Sequence, residues 1–178
     1  MARGRATLLR PVALTGFMGA GKTPVGRLLA ERLAAPYHDL DREVERRAGR
    51  TVASIFRAEG EVGFREREWE ALREAMNADP AVWALGGGTV TIPAAVAHLT
   101  SVGARIVWLR VEWGAVEGRV SAHGRPLLAG GAEEVRRLFA ARTPIYREVA
   151  SVVVDGGRPA RVVAADVLAA LRERHDVA

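Results

Sequence analysis

Of the 26 basic residues in this chain, Lys22 alone is a lysine; all the others are arginine. It stands in Gly16-Phe17-Met18-Gly19-Ala20-Gly21-Lys22-Thr23, which satisfies every fixed position of the phosphate-cradling pattern G-x-x-x-x-G-K-[ST]. A compact ammonium fits among closely packed backbone amides where a planar guanidinium does not. Backbone N–H groups from about Gly19 through Ala20 and Gly21 to Thr23, with a helix start behind them, would hold a β-phosphate. Lys22 would bridge the β- and γ-phosphates, and the Thr23 hydroxyl would ligate Mg2+. These residues point to a bound nucleoside triphosphate.

A second group is His38-Asp39-Leu40-Asp41. Side chains two apart in an extended strand share a side, so Asp39 and Asp41 are expected to face the same sheet edge. Two carboxylates there suit one metal ligand and one acceptor for a hydroxyl proton. The plainer use is a cap for the helix starting near Arg42, and Asp41 can serve both ends. His38 points the other way, as a structural residue. Third, Gly86-Gly87-Gly88 follows an apolar strand at a place where many phosphate-loop enzymes carry a metal-binding aspartate. A turn needs one or two glycines; a third suggests a ligand against bare backbone.

Two arginines occupy positions where apolar residues belong. The stripe Trp69, Leu72, Met76 continues backward to Arg65, and the stripe Val135, Leu138, Phe139 continues to Arg142, just before Pro144 should stop its helix. One such arginine can snorkel; two suggest a guanidinium pair converging on a buried carboxylate or phosphate. Arg125, in the glycine-rich stretch Ser121–Gly131, could swing onto a transferring phosphoryl group. Arg119 is less specific.

Positioning these groups requires strands that end together. Apolar strands are expected at Val12–Thr15, Pro36–Leu40, Val82–Leu85, Arg105–Leu109 and Val152–Asp155. Helices are expected near Lys22–Ala34, Arg42–Ala48, Val52–Ala58, Val62–Asn77, Pro93–Leu99, Trp113–Val120, Glu133–Arg142 and Arg161–Arg174. The alternation predicts an α/β fold, a five-stranded parallel sheet between two helical layers, with ligands beyond the strands' carboxyl ends.

The chain of 178 residues reads as a single domain over 1–178 with a lid at about 121–131. The absence of cysteine excludes disulfides and thiolate metal sites. No apolar run approaches the roughly 18 residues a membrane span needs, so a cytoplasmic protein without a membrane role is expected. Net charge of +5 suits an anionic ligand and would also suit nucleic acid. The arginines, however, alternate with glutamates, as in Arg65-Glu66-Arg67-Glu68 and Arg42-Glu43-Val44-Glu45-Arg46, which reads as solvated helix surface. No aromatic-basic recognition motif accompanies the charge, so no nucleic-acid partner is expected.

GFMGAGKT, the Asp-x-Asp pair, EGEVGFREREWEAL, ALGGGTV, RPLLAG and ARTPIYREVA run in this order along nearly the whole chain. In this the sequence resembles the shikimate kinase family, small phosphate-loop kinases of the nucleoside-monophosphate-kinase type with a lid. The resemblance implies ATP-dependent phosphorylation of the 3-hydroxyl of shikimate, with Mg2+, by a monomer. It implies that Asp41 holds ring hydroxyls and orients or deprotonates the nucleophile, leaving Asp39 to join Thr23 at the metal. Arg65 and Arg142 would clamp the shikimate carboxylate, and the Gly86, Gly87 and Gly88 amides would support the substrate. Arg125 would close over the phosphates, Arg119 would stack on adenine, and Pro159 would lie at the nucleotide edge. The chief rival is a kinase of the same build acting on another small polyol; outside that class stand a nucleotide-sensing switch and an arginine-rich nucleic-acid binder.

Two departures from the family pattern are the short span from Arg119 to Arg125 and Pro24 directly after Thr23. In related loops the amide at position 24 commonly reaches the α-phosphate, and proline has none, although a first helical turn accepts proline. Pro24→Thr should therefore tighten ATP binding by about 1 kcal/mol, the worth of one such hydrogen bond. Calorimetric titration checks this, and unchanged affinity would remove Pro24 from the account.

Overall fold

All four residues of β1 (Val12–Thr15) are buried, as befits a strand covered on both faces. A computed structural model describes residues 6–120 and 131–178, with the side chains of residues 118–120 outside that description. β1 lies at the centre of an all-parallel sheet of five strands ordered β2-β3-β1-β4-β5. The others are β2 (Tyr37–Asp39), β3 (Val82–Ala84), β4 (Arg105–Arg110) and β5 (Val152–Asp155). Leu14 lies opposite Ala84 and Val107, and Asp39 also lies opposite Ala84. The carboxyl ends of β1, β2 and β3 therefore come level, and their loops leave one edge together.

From β1 the chain steps outward to β2, then returns through β3 to β4 and β5. Right-handed crossovers turn that reversal into two helical layers. Helix α1 (Lys22–Leu33) lies on one face, where α7 (Ala160–Glu173) packs against it. The opposite face takes α2 (Leu40–Ala48), α3 (Val52–Ala75), α4 (Pro93–Ser101), α5 (Trp113–Val120) and α6 (Gly131–Val149). The order reverses between β1 and β3, and a crevice opens at their carboxyl ends. At the opposite edge, Leu8 bridges Val177 antiparallel. There the buried Asp176 carboxylate takes two hydrogen bonds from Arg105 (2.6 and 2.8 Å) and an ion pair from Arg10 (3.0 Å).

Three expectations need amendment. Asp39 and Asp41 do not share a strand, because α2 begins at Leu40. Asp39 is its N-cap, with Oδ1 accepting from the Arg42 amide at 3.4 Å, and Asp41 sits in the first turn. Pro144 does not stop α6, which runs on to Val149. A proline inside a helix forfeits the bond to the carbonyl four residues back. Here Pro144 and Ala140 are both exposed, so water can serve that carbonyl, while buried Arg142 and Tyr146 hold the helix on either side. Finally, Arg65-Glu66-Arg67-Glu68 is not all solvated: Glu68 has no exposed surface. The separation of Val52–Ala58 from Val62–Asn77 does correspond to a break within α3, at Gly60 (φ 70°, ψ −170°).

Helices α2 and α3 are strapped by charge. Glu43 accepts from Arg46 (2.7 Å) and Arg47 (2.6 Å), and Arg47 reaches on to Glu74 of α3. Hydrogen bonding from Arg46, then from Arg47, holds the Glu43 carboxyl down from 4.5 to about 2. A lowered carboxyl pKa contributes stability above the ordinary value and loses it as pH falls through the folded one. Glu43→Gln should therefore flatten the stability-versus-pH curve between about pH 4.5 and 2, as followed by urea unfolding across that range.

Candidate active site

The cleft begins in backbone geometry. Gly16, Gly19 and Gly21 have φ of 139°, 77° and 86°, values side-chain-bearing residues rarely adopt. A Cβ on Gly16 would also lie 2.7 Å from the Leu109 carbonyl oxygen. Gly21 caps α1 without a side-chain hydrogen bond, and no acid stands in the first turn. The helix start therefore offers amides and positive dipole to an anion. Lys22 Nζ lies across the loop, donating to the carbonyls of Gly16 (2.7 Å) and Phe17 (3.0 Å). Pro24 is exposed in the first turn, and the Val25 amide still reaches the Gly21 carbonyl at 3.0 Å. The helix tolerates it, as expected.

Beside the loop, Thr23 Oγ1 donates to Asp39 Oδ2 at 3.1 Å, and the Tyr37 hydroxyl donates to the same oxygen at 3.3 Å. Burial, reinforced by the Asp39 charge, pushes Tyr37 up to about 12, so it stays a donor. The Tyr37 ring fills the space left by Gly26, where a Cβ would come 2.7 Å from Cε2. A hydroxyl and a carboxylate oxygen side by side are hard donors suited to Mg2+. His38 turns away and stacks on Trp83, ring centroids 4.4 Å apart.

Across a cleft of about 390 Å³ stand Asp41, Arg65, Gly86–Gly88 and Arg142, with Phe56 and Phe64 as an apolar wall. Arg65 and Arg142 arrive from α3 and α6, as their interrupted stripes predict. Arg65 donates from Nη1 to Glu68 (2.5 Å) and from Nη2 to Glu61 (3.2 Å), and Arg142 Nη2 lies 3.5 Å from the same Glu61 oxygen. Burial alone would lower the Arg65 pKa, but Glu68 and Glu61 carry it above its ordinary value. Burial, abetted by the like charge of Arg65, lowers Arg142 despite the Tyr146 oxygen.

The glycine triplet is explained largely by the chain's own side chains. A Cβ on Gly86 would overlap Glu68 Oε1, and one on Gly88 would overlap the Arg65 guanidinium. Glu68 also accepts from Thr89 Oγ1 at 2.7 Å, and the Tyr146 hydroxyl donates to the Gly87 carbonyl. Burial raises that Tyr146 hydroxyl to about 12. The bare backbone is thus approached first by Glu68 and Arg65. Sequence reasoning missed Glu68, Glu61, Tyr146 and Tyr37 as site residues. Tyr146 lies one helical turn after Arg142, and Glu68 one turn after Arg65, so the same stripes carried both signals.

Pro159 lies exposed at the N-cap of α7. The preceding loop leans on the phosphate loop, since a Cβ on Gly156 would come 3.3 Å from the Ala20 carbonyl oxygen. Arg119 belongs to α5, but its side chain lies outside the described residues, as do Arg125 and residues 121–130 of the lid expected at about 121–131. Gly131, placed in that lid, instead opens α6.

The family model described as "Shikimate kinase" matches residues 18–172. A shikimate kinase from Symbiobacterium thermophilum is 44% identical over 169 residues, spanning 92% of this chain and 97% of its own. One from Pseudomonas syringae pv. syringae is 41% identical, over 93% of this chain and 98% of its own. A solved shikimate kinase from Acinetobacter baumannii, in complex with shikimate, superposes with a TM-score of 0.87 at 37% identity, covering 93% of this chain and 94% of that one.

Removing one partner of a buried ion pair leaves an uncompensated charge, typically at 3–5 kcal/mol. Glu68→Ala should accordingly cost about 3–5 kcal/mol in urea unfolding. Glu68→Gln, which keeps the shape and a partner for Thr89, should cost clearly less. Equal costs would mean that the lost charge, common to both variants, accounts for the whole effect and that the shape and the Thr89 hydrogen bond add nothing.

Proposed function

This chain belongs to the shikimate kinase family, and on that premise we propose that it transfers the γ-phosphoryl group of ATP to the 3-hydroxyl of shikimate. The products are shikimate 3-phosphate and ADP, a step toward chorismate and the aromatic amino acids. The observation that carries this reading is the pair of largely buried guanidinium groups, Arg65 and Arg142, meeting on one carboxylate oxygen beside Asp41 and the phosphate loop. A carboxylate-bearing ring fits that pair; a neutral polyol has no charged group to offset it.

Phosphoryl transfer asks for an acceptor oxygen in line and for neutralised phosphate charge. Asp41 accepts the hydrogen bond of the 3-hydroxyl and aligns its oxygen. Arg65 and Arg142 fix the far end of the ring through its carboxylate. The Gly86–Gly88 backbone, held by Arg65, Glu68 and Tyr146, supports the ring edge, and Phe56 and Phe64 shield its apolar face. Lys22 leaves the Gly16 and Phe17 carbonyls to reach the β- and γ-phosphates, and the amides from Gly19 to Thr23 hold the β-phosphate. Thr23 and Asp39 would hold Mg2+, which when bound offsets the charge of the terminal phosphates. Arg125 adds positive charge at the transferring phosphoryl group, and Arg119 and Pro159 border the adenine. The protein acts in this reading as a monomer on a small molecule.

With ATP and Mg2+, turnover should be highest on shikimate among shikimate, quinate, gluconate and nucleoside monophosphates. Preference for any of the other acceptors would overturn the reading. Lys22→Ala should lower kcat by at least about 100-fold, as loss of a transition-state charge donor does. Arg65→Ala should raise the shikimate KM by about 30-fold, the low end for truncating a buried charge pair. Chelation of Mg2+ should stop turnover.

A further inference from the structure

The acid that meets both arginines is unlike the acid that anchors one of them. Glu68 is fully buried, bonded to Thr89 and to Arg65 Nη1. Glu61 is half exposed, at 51%, one residue after the break at Gly60. Its Oε1 lies 3.2 Å from Arg65 Nη2 and 3.5 Å from Arg142 Nη2. Among the described residues it is the only carboxylate paired with Arg142. Arg65 thus has one terminal nitrogen held by a fixed carboxylate and the other by a carboxylate free to turn into water.

We infer that Glu61 is an internal stand-in for the acceptor's carboxylate, occupying the guanidinium pair in the empty enzyme and giving way when the acceptor binds. This rests on the reading that Arg65 and Arg142 bind that carboxylate. An incoming group that bridges the two Nη2 atoms must take up the place of Glu61 Oε1, and two carboxylates crowded there would repel. Arg65 and Arg142 are like charges in a largely buried setting, so an emptied site needs an anion to keep them together. Glu61 provides one that is held weakly, as partly exposed ion pairs are. An acceptor with a carboxylate exchanges one anion for another. A neutral acceptor has nothing to exchange and leaves Glu61 in place, so the residue screens acceptors by charge.

If Glu61 were instead a permanent prop for the arginines, its removal would weaken acceptor binding; as a stand-in, its removal strengthens it. The test is calorimetric titration of wild type, Glu61→Gln and Arg142→Ala with shikimate and with its uncharged methyl ester, without nucleotide. Glu61→Gln should bind shikimate about two- to fivefold more tightly than wild type, the equivalent of an exposed pair, with no gain toward the ester. Equal or weaker shikimate binding by Glu61→Gln, or an equal gain toward the ester, overturns the inference while leaving the acceptor assignment intact. Failure of wild type to bind shikimate, or full affinity in Arg142→Ala, overturns the acceptor assignment itself, and this inference with it.

Discussion

A carboxylate with no exposed surface, that of Glu68, is the constraint around which the acceptor side of the cleft is arranged. A buried charge persists only when paired and hydrogen-bonded, and Arg65 and Thr89 meet that condition from opposite sides. Their presence leaves no room for side chains at positions 86 and 88. The glycine triplet, the turn at Thr89–Thr91 and the setting of Arg65 are thus one arrangement seen from three segments. Tyr146 completes it by tying α6 to the Gly87 carbonyl, so the second arginine, one turn earlier on that helix, is located by the same loop.

The nucleotide side is built on different physics. It relies on left-handed glycines, an open helix start and a lysine resting on carbonyls. Phosphoryl transfer needs both halves at a fixed separation, and the level carboxyl ends of β1, β2 and β3 provide it. The sheet acts as the ruler for the reaction.

These two halves were unequally legible in the sequence. The phosphate loop is contiguous, so its pattern and its flanking strand and helix identify it. Arg65 and Arg142 were legible because each interrupts an apolar stripe. Glu68 was hidden because alternating charge looks alike on a wet face and a dry one; what separates them is its place one turn from Arg65 on the face that carries Leu72. Asp39 and Asp41 were found, but the period changes from two to 3.6 between them when α2 begins at Leu40, and a strand rule cannot anticipate that. Pro144 misled because local propensity yields to tertiary anchorage, supplied here by Arg142 and Tyr146. The reason for three glycines could not be read locally, since the groups that exclude a Cβ lie some twenty residues upstream.

The clasp of Leu8 with Val177, locked by Asp176 between Arg10 and Arg105, sits at the amino edge of the sheet, on the side away from the cleft. Both ends of the described chain are thereby stitched to the floor of the molecule. Any cargo fused to either end would hang below, leaving the mouth unobstructed for nucleotide and acceptor to diffuse in.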